Sequence, residues 1–217
     1  EGKHYQVDAV IEPKPLQQPH PPFFLGGGSE YALEISAKHS TVHLFWGDRP
    51  SGIAAKIKDL KARAARHGRE HALGFGMRLQ IVCADTEAEA WADAERLIAG
   101  ATRFELANMR GSRSSAEGIR RTSEANRQVW KLLEESGDDM KLTPHLWTGI
   151  STVRSGAGIA VVGNPEQVAD TLEEFVEAGC TSFCLSGYPH AKAARIFAEK
   201  VLPRFQGRLS TALPQAA

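Results

Sequence analysis

The sequence predicts an α/β protein built on a parallel sheet. Short apolar runs alternate with longer segments whose apolar residues recur at helical spacing. Glycine or a polar residue follows each apolar run, at the point where a strand would give way to a helix. Because strands that alternate with amphipathic helices form parallel sheets, we expect four βα units. Four units are half of an eight-stranded βα barrel, so two architectures stay open: an open sheet, or the second half of a barrel whose first half precedes Glu1.

Composition and charge predict one domain over residues 1–217. Apolar residues make up 42% of the chain and charged residues 24%, as in ordinary globular proteins. Lysines and arginines number 26, as do aspartates and glutamates, so no net field attracts nucleic acid or an anionic membrane. No apolar run is long enough to span a bilayer. The three cysteines fit no disulfide framework and no histidine spacing fits a metal, so we expect a cytoplasmic protein without a metal site.

Residues 22–99 are predicted to hold two and a half βα units. A Pro-rich stretch precedes them, for which we expect an edge hairpin and an extended lead-in. The second helix carries an apolar stripe that begins at Ile53, and Thr86 with Glu89 forms a capping box for the third. The predicted strands cover 23–25, 42–46 and 74–84, and the first two predicted helices cover 30–38 and 51–67.

Residues 100–145 are predicted to be an Arg-rich insertion, because they are helical in composition but carry little to bury. We expect a mobile tip over 109–116. Closing units follow in 146–206, where Asn164 caps a helix and Pro165 occupies its first position. The last strand is predicted over 181–185 and the last helix over 190–205, before a disordered tail at 207–217.

Two features predict an anion site at the carboxyl ends of the strands. The turn 26–29, Gly-Gly-Gly-Ser at a strand-to-helix junction, would point backbone N–H groups at a phosphate, although a tight turn needs the same glycines. Arg78 and Gln80 share one face of the third strand, opposite the apolar Met77 and Leu79. A buried guanidinium needs an anion, which is either a ligand or a structural carboxylate.

Four further residues end or follow predicted strands. Trp46 is placed to wall a planar cofactor or to pack in the core. Arg154, beside a Gly-rich segment, would either close over an anionic substrate or stay solvated. Tyr188 is a candidate acid or base, and His190 either joins the site or holds the turn that starts the last helix.

Five segments, in order, resemble the carboxyl-terminal part of the bacterial luciferase-like flavin monooxygenases, and most closely the two-component alkanesulfonate monooxygenases. Together they span nearly the whole chain, and the combination of VRSGAG with SGYPH is characteristic of the sulfonate branch. The segments are PPFFLGGGSEYA (21–32), LFWGDRP (44–50), FGMRLQIV (75–82), LWTGISTVRSGAGIAVVG (146–163) and FCLSGYPH (183–190).

The resemblance implies a TIM (β/α)8 barrel of which this chain supplies the last four βα units and the long Arg-rich insertion. It implies an enzyme that uses FMN as FMNH2, together with O2, to release sulfite and an aldehyde from an alkanesulfonate or related organosulfur compound. A separate NAD(P)H-dependent FMN reductase would supply the reduced flavin, and the protein would be a homodimer or homotetramer.

The resemblance also assigns roles to residues by motif. Catalytic roles fall to Arg78, Arg154 and Tyr188, and substrate binding to Gln80, Arg154 and His190. The residues it assigns to the cofactor are Gly27, Gly28, Ser29, Trp46, Ser186 and Gly187.

Two departures from the family pattern bear on the substrate. Gln80 stands where the family has histidine, and an amide forms hydrogen bonds but does not carry a proton near neutral pH. Gly28 stands where the family has serine, which removes a hydroxyl near the phosphate. Two alternatives therefore stay open: a luciferase-like monooxygenase for a non-sulfonate substrate, and a non-catalytic flavin- or anion-binding barrel.

Overall fold

The computed structural model describes residues 2–10, 12–99, 124–153 and 158–207, and these form an α/β fold with a mostly parallel sheet. The sheet contains β1 (Phe24–Gly26), β2 (Val42–Trp46), β3 (Gly74–Cys83), β4 (Leu146–Trp147), β5 (Ala160–Gly163) and β6 (Ser182–Ser186).

Helices follow the parallel strands, as the alternating pattern predicts. Among the described residues, no helix is both long enough and apolar enough to cross a membrane. The α-helices are α1 (Glu30–His39), α2 (Pro50–Ala65), α3 (Glu87–Ala99), α4 (Glu124–Glu135), α5 (Pro165–Glu177) and α6 (His190–Ile196).

Four strands run parallel in the order β1, β2, β3, β6. Trp46 and Cys184 are the register partners of Arg78 on the two sides of β3. Because β3 is longer than β2, its second half extends beyond the end of β2, and β5 pairs with it there from Gln80 onward. The antiparallel pair of β4 and β5 was not predicted, since the sequence pattern indicated only a broken segment.

The face of the sheet that meets the helices holds the core. Phe75, Met77, Leu79 and Ile81 of β3 are all buried there. They belong to one cluster with the apolar stripe of α2 and with Phe175 of α5. Each such side chain contributes about 1.5–3 kcal/mol on burial, so this face accounts for much of the stability of the fold.

Capping residues fix where two of the helices begin. Ser29 caps α1, and its Oγ accepts a hydrogen bond from the Ala32 N–H at 3.3 Å. Asn164 and Gln167 form a reciprocal capping box at the start of α5, next to Pro165. The sequence predicted both starts, because Ser and Asn at these positions satisfy N–H groups that have no helical partner.

Two predicted elements differ in the structure. The expected N-terminal hairpin is absent from the described part of residues 2–23, where Tyr5 and Val7 are largely exposed and no strand forms. The last helix is not uniform: after α6 the chain forms a π turn at Phe197–Val201 and a 3₁₀ turn at Leu202–Phe205. Pro203, which has no N–H to donate, lies at the start of the 3₁₀ turn, where a missing donor costs least.

The predicted insertion and tail fall largely outside the described residues. Of 100–145 the structure describes 124–145, which includes α4. The expected mobile tip at 109–116 lies outside the described residues, as does 208–217 of the predicted tail.

Candidate functional site

A cavity of about 630 Å³ lies at the carboxyl ends of β1 and β2, and is called the main cavity below. Side chains and backbone from three layers meet in it: the glycine turn after β1, the inner face of the sheet, and the helices α2 and α4. Its lining includes Gly27, Gly28, Trp46, Lys56, Arg78 and Gln128.

The glycine turn combines a backbone requirement with an anion-binding geometry. Gly27 has φ +145°, and a Cβ there would lie 2.8 Å from the Ala32 Cβ. Ser29 is exposed and serves as the helix cap, so the turn offers an anion the first N–H groups of α1 and the favourable end of the helix dipole. Opposing this, a Cβ at Gly28 would lie 3.1 Å from the Glu124 Cγ, so a carboxylate side chain lies against the turn.

Arg78 projects from the inner face of β3 into the main cavity. Its guanidinium forms no hydrogen bond or ion pair with any described residue. Its register partner Trp46 lies beside it at the end of β2. Gly158 makes room for the indole, since a Cβ there would come 2.7 Å from the Trp46 Nε1. The arrangement leaves one half-buried cation available to an anion.

Gln80 lies two residues farther along the same face of β3. Its side chain is 1% exposed, and neither amide atom has a hydrogen-bond partner within the described ranges. The Trp46 Nε1 is likewise buried and unpartnered there. Natural proteins rarely leave buried polar groups unsatisfied, so these atoms point to a polar ligand or ordered water at this place.

A buried carboxylate that sequence reasoning missed organises the wall of the main cavity. Asp48, 7% exposed, accepts hydrogen bonds from the Arg49 backbone N–H at 2.8 Å and from the Lys56 Nζ at 2.6 Å. The Gln128 amide donates a third at 3.1 Å, which ties α4 to the end of β2. Gly52 permits this arrangement, because a Cβ there would lie 2.6 Å from the Asp48 carboxyl carbon.

His43 also lines the main cavity and is neutral at physiological pH. Its ring is 1% exposed and its Nδ1 forms a 2.9 Å hydrogen bond with the Ser36 Oγ. Burial, and secondarily the charge of Lys56, lowers the pKa of His43 from 6.5 to about 4. The imidazole therefore contributes no positive charge to the cavity near neutral pH.

Tyr188 lies apart from the main cavity. It lines a second hollow of about 330 Å³ between α3 and α6, together with Cys83, Arg96 and Lys192. Its ring stacks obliquely on that of His190, with centroids 4.7 Å apart. Within this chain Tyr188 thus lines a different hollow from Arg78, and the grouping of Tyr188 and His190 with Arg78 in one site stays a prediction.

The remaining predicted site residues occupy distinct positions. Ser186 ends β6 as the register partner of Gln80. Gly187 is buried, and a Cβ there would lie 2.6 Å from the Ile81 carbonyl oxygen, so close packing against β3 also requires glycine. Arg154 lies outside the described residues.

Sequence reasoning found the strand residues of the site and missed the helical ones. Arg78 and Trp46 follow from the period of a strand, because alternate residues face the same side. Lys56 and Gln128 are polar residues on helices, where a solvated surface is the ordinary expectation, and no local pattern separates them from their neighbours. Asp48 directly follows Gly47, the first residue after β2, which was the one available indication.

Comparison with known proteins matches this fold to one family. The family model described as luciferase-like monooxygenase matches residues 1–182. Among solved structures, riboflavin lyase (RcaE), with modified FMN and its substrate riboflavin, is 19% identical at a TM-score of 0.71, covering 100% of this chain and 50% of that one. DmoA from Hyphomicrobium sulfonivorans is 21% identical at a TM-score of 0.68, with 96% and 46% covered.

EDTA monooxygenase (EmoA) from Chelativorans sp. BNC1 is 17% identical at a TM-score of 0.67, with 100% of this chain and 51% of that chain covered. The chain thus spans about half the length of these structures, whose likeness concerns the fold. The family model covers most of the sequence, and the residues that line the main cavity lie within the matched range. The chain belongs to the luciferase-like monooxygenase family.

Proposed function

We propose that this chain supplies the last four βα units of a luciferase-like (β/α)8 barrel. In this proposal the barrel is a two-component monooxygenase that uses FMNH2 and O2 to desulfonate an alkanesulfonate or related organosulfur compound. The observation that carries the proposal is Arg78, a cation in the main cavity that forms no hydrogen bond or ion pair with any described residue. A sulfonate is an anion that a guanidinium binds through paired hydrogen bonds.

Exposed side chains on the two outer strands of the inner face support the partial barrel. Phe24 on β1 is 49% exposed, and Cys184 on β6 is exposed on the same face as Arg78. The helix-facing side is buried by contrast. Four further βα units would cover these residues and pair the free edges of β1 and β6.

The residues present fit a flavin. The turn at Gly27, Gly28 and Ser29 offers backbone donors for the phosphate, and Trp46 supplies a flat apolar wall. The unpartnered amide of Gln80 and the Trp46 N–H are available for polar groups. Ser186 and Gly187, beside Gln80 at the end of β6, complete the proposed cofactor contacts. When bound, the reduced flavin supplies the two electrons that the reduction of O2 requires.

The proposed reaction balances with these reactants. The alkanesulfonate, FMNH2 and O2 give the aldehyde, sulfite, FMN, water and a proton. The C–S bond breaks, one oxygen atom of O2 enters the aldehyde and the other leaves as water. In this proposal Arg78 and Arg154 bind the sulfonate, Gln80 and His190 contact the substrate, and Tyr188 holds or moves a proton at its phenol oxygen.

We propose a separate NAD(P)H-dependent FMN reductase as partner, because the chain carries no glycine fingerprint for a nicotinamide cofactor. A cytoplasmic homodimer or homotetramer completes the proposal. Tyr31 and Ile35, one turn apart on α1 and 85% and 53% exposed, support a subunit contact on this helix.

The test is sulfite release. The protein, purified from its own source, is supplied with reduced FMN by a separate reductase. O2 and a panel of short and long alkanesulfonates are then added. We expect sulfite above the enzyme-free rate, and a loss of about 100-fold in Arg78→Met, since a charged partner of the substrate is removed. Wild-type protein that binds reduced FMN tightly but releases no sulfite contradicts a sulfonate substrate.

The presence of Gln80 favours a second candidate function, that of a luciferase-like monooxygenase for a non-sulfonate substrate. An amide at this position offers a neutral donor and acceptor in a site with no described partner for either. The same assay decides between the candidates when it includes neutral substrates and follows O2-dependent flavin oxidation coupled to product. Coupled turnover of a neutral substrate without sulfite release would select this alternative.

A further inference from the structure

The charges around the main cavity are almost entirely paired. Four charged side chains among the described residues line it: Lys56, Asp59, Arg78 and Glu124. Three of them have an opposite partner within hydrogen-bond distance, and Arg78 has none in the described part of the chain. The partner distances are 2.6 Å from Lys56 to Asp48, 2.8 Å from Asp59 to Arg63, and 3.0 Å from Glu124 to Arg127.

Among these pairs, the one between Lys56 and Asp48 is the most buried. The Asp48 side chain is 10% exposed, whereas those of Asp59 and Glu124 are 51% and 43% exposed. Solvent screens exposed pairs strongly, so removing Asp59 or Glu124 changes the field in the cavity little. Removing the Asp48 charge leaves the Lys56 ammonium, itself a lining group, without its counterion.

We propose that Asp48 sets the anion selectivity of the main cavity: by holding Lys56 as a neutral pair, it leaves Arg78 as the one unpaired positive charge among the described side chains that line the cavity. The cavity then prefers a singly charged anion, such as a sulfonate, to a doubly charged one of the same shape, such as a phosphonate. Asp48 acts through Lys56 and is a positioning and specificity residue, not a catalytic one. The inference names the class of anion for the site proposed above, and it rests on that proposal only for the identity of the substrate.

Chemical selectivity of this kind follows from charge counting. A dianion loses more hydration free energy on entering the cavity than a monoanion does. One free cation offers only one strong contact to offset this loss, so the monoanion binds better. Adding a second free cation favours the dianion, because the attraction grows with the product of the charges. Asn at position 48 keeps the size and most hydrogen-bonding capacity of Asp, so the Arg49 N–H and Gln128 can keep a partner.

The experiment compares two probes of similar shape, methanesulfonate and methylphosphonate, at a pH where the phosphonate carries two charges. Their dissociation constants are measured by calorimetry, without flavin, for wild type, Asp48→Asn and the matched control Asp59→Asn. We expect the ratio of the two constants to shift toward methylphosphonate by about tenfold in Asp48→Asn and by less than about twofold in Asp59→Asn. Circular dichroism checks that each variant is folded.

A double variant tests whether Asp48 acts through Lys56. In Asp48→Asn combined with Lys56→Met both charges of the pair are gone, so the ratio is expected to return to the wild-type value. A shift that persists in the double variant, an unchanged ratio in Asp48→Asn, or a wild-type protein that binds neither probe would each overturn the inference. If wild type prefers methanesulfonate and the variants behave as expected while no sulfite is released, the inference stands and the proposed function fails.

Discussion

The two faces of the sheet carry different kinds of side chain. On the face toward the helices, β3 presents Phe75, Met77 and Leu79, each no more than 5% exposed and each packed against apolar neighbours. On the opposite face the same strand presents Arg78 and Gln80, which have no described hydrogen-bond partner for their side chains. Along this one strand, side chains that pack against apolar neighbours thus alternate with polar side chains that have no described hydrogen-bond partner.

This difference locates function on the inner face. An unpaired cation and a buried amide lower the stability of a folded chain, and a fold without a ligand gains nothing from them. The helix-facing residues of β3 are apolar and buried, so they do not lower the stability in this way. Substitutions on the two faces should therefore affect different quantities: the free energy of unfolding on one side, and ligand binding on the other.

The largest effect is expected from Leu79→Ala on the helix-facing side. Leu79 is fully buried, and its truncation leaves a cavity, so the free energy of unfolding should fall by about 2–5 kcal/mol. Urea unfolding followed by circular dichroism measures this change. Anion affinity at low denaturant should stay within about twofold of wild type, since Leu79 points away from the main cavity. A large loss of affinity in the folded variant would show that the two faces are coupled.

His43 on β2 should make the stability of the fold depend on pH. Its pKa in the folded chain is about 4, below the ordinary 6.5, because burial disfavours the charged ring. The unfolded chain therefore binds this proton more readily, so the stabilisation is complete above pH 6.5 and is lost as the pH falls toward 4. The loss should reach about 3 kcal/mol.

The matched variant is His43→Asn, which keeps a polar group near Ser36 but does not titrate in this range. The free energy of unfolding is measured for both proteins between pH 7 and pH 4. Carboxylates such as Glu34, whose pKa is lowered mainly by its hydrogen bond to His67, lose stabilisation at the acid end in both. The difference between the two curves isolates His43, and parallel curves would refute its buried, neutral state.

Arg78→Met should reverse the pattern seen for Leu79. Met keeps much of the length of arginine without the charge, so the free energy of unfolding should change by less than about 1 kcal/mol. Methanesulfonate affinity should fall by about 30-fold, because the unpaired guanidinium is its expected partner. Calorimetric titration measures the affinity. Unchanged affinity together with lower stability would mean that Arg78 is a structural residue.

Much of the frame could be predicted from the sequence, because it follows from local rules. Val42–Trp46 was predicted with its observed bounds, since an apolar run bounded by a glycine has few other conformations. The start of α5 follows from Asn164 and Pro165 alone. The two faces of β3 follow from the period of a strand, which placed Arg78 and Gln80 together before any contact was known.

The wall of the main cavity could not be predicted, because it depends on which helices come together. Asp48 and Gln128 are far apart in sequence, and their hydrogen bond exists only once α4 packs beside the end of β2. The second hollow, which Tyr188 lines, was not predicted for the same reason. Tyr188 follows the end of β6, and the position of α3 beside α6 determines which hollow it lines.

The smallest effect is expected from Gln80→Leu, and it tests the inner face most directly. Leucine has nearly the volume of glutamine and no polar atoms, so replacing an unsatisfied buried amide should raise the free energy of unfolding by about 1 kcal/mol. Urea unfolding without ligand measures this, and FMN titration should show weaker binding in the same variant. Lower stability would mean that Gln80 already has partners, such as ordered water, in the ligand-free protein. Higher stability with weaker flavin binding would show that the inner face keeps a polar group for its ligand at the expense of the fold.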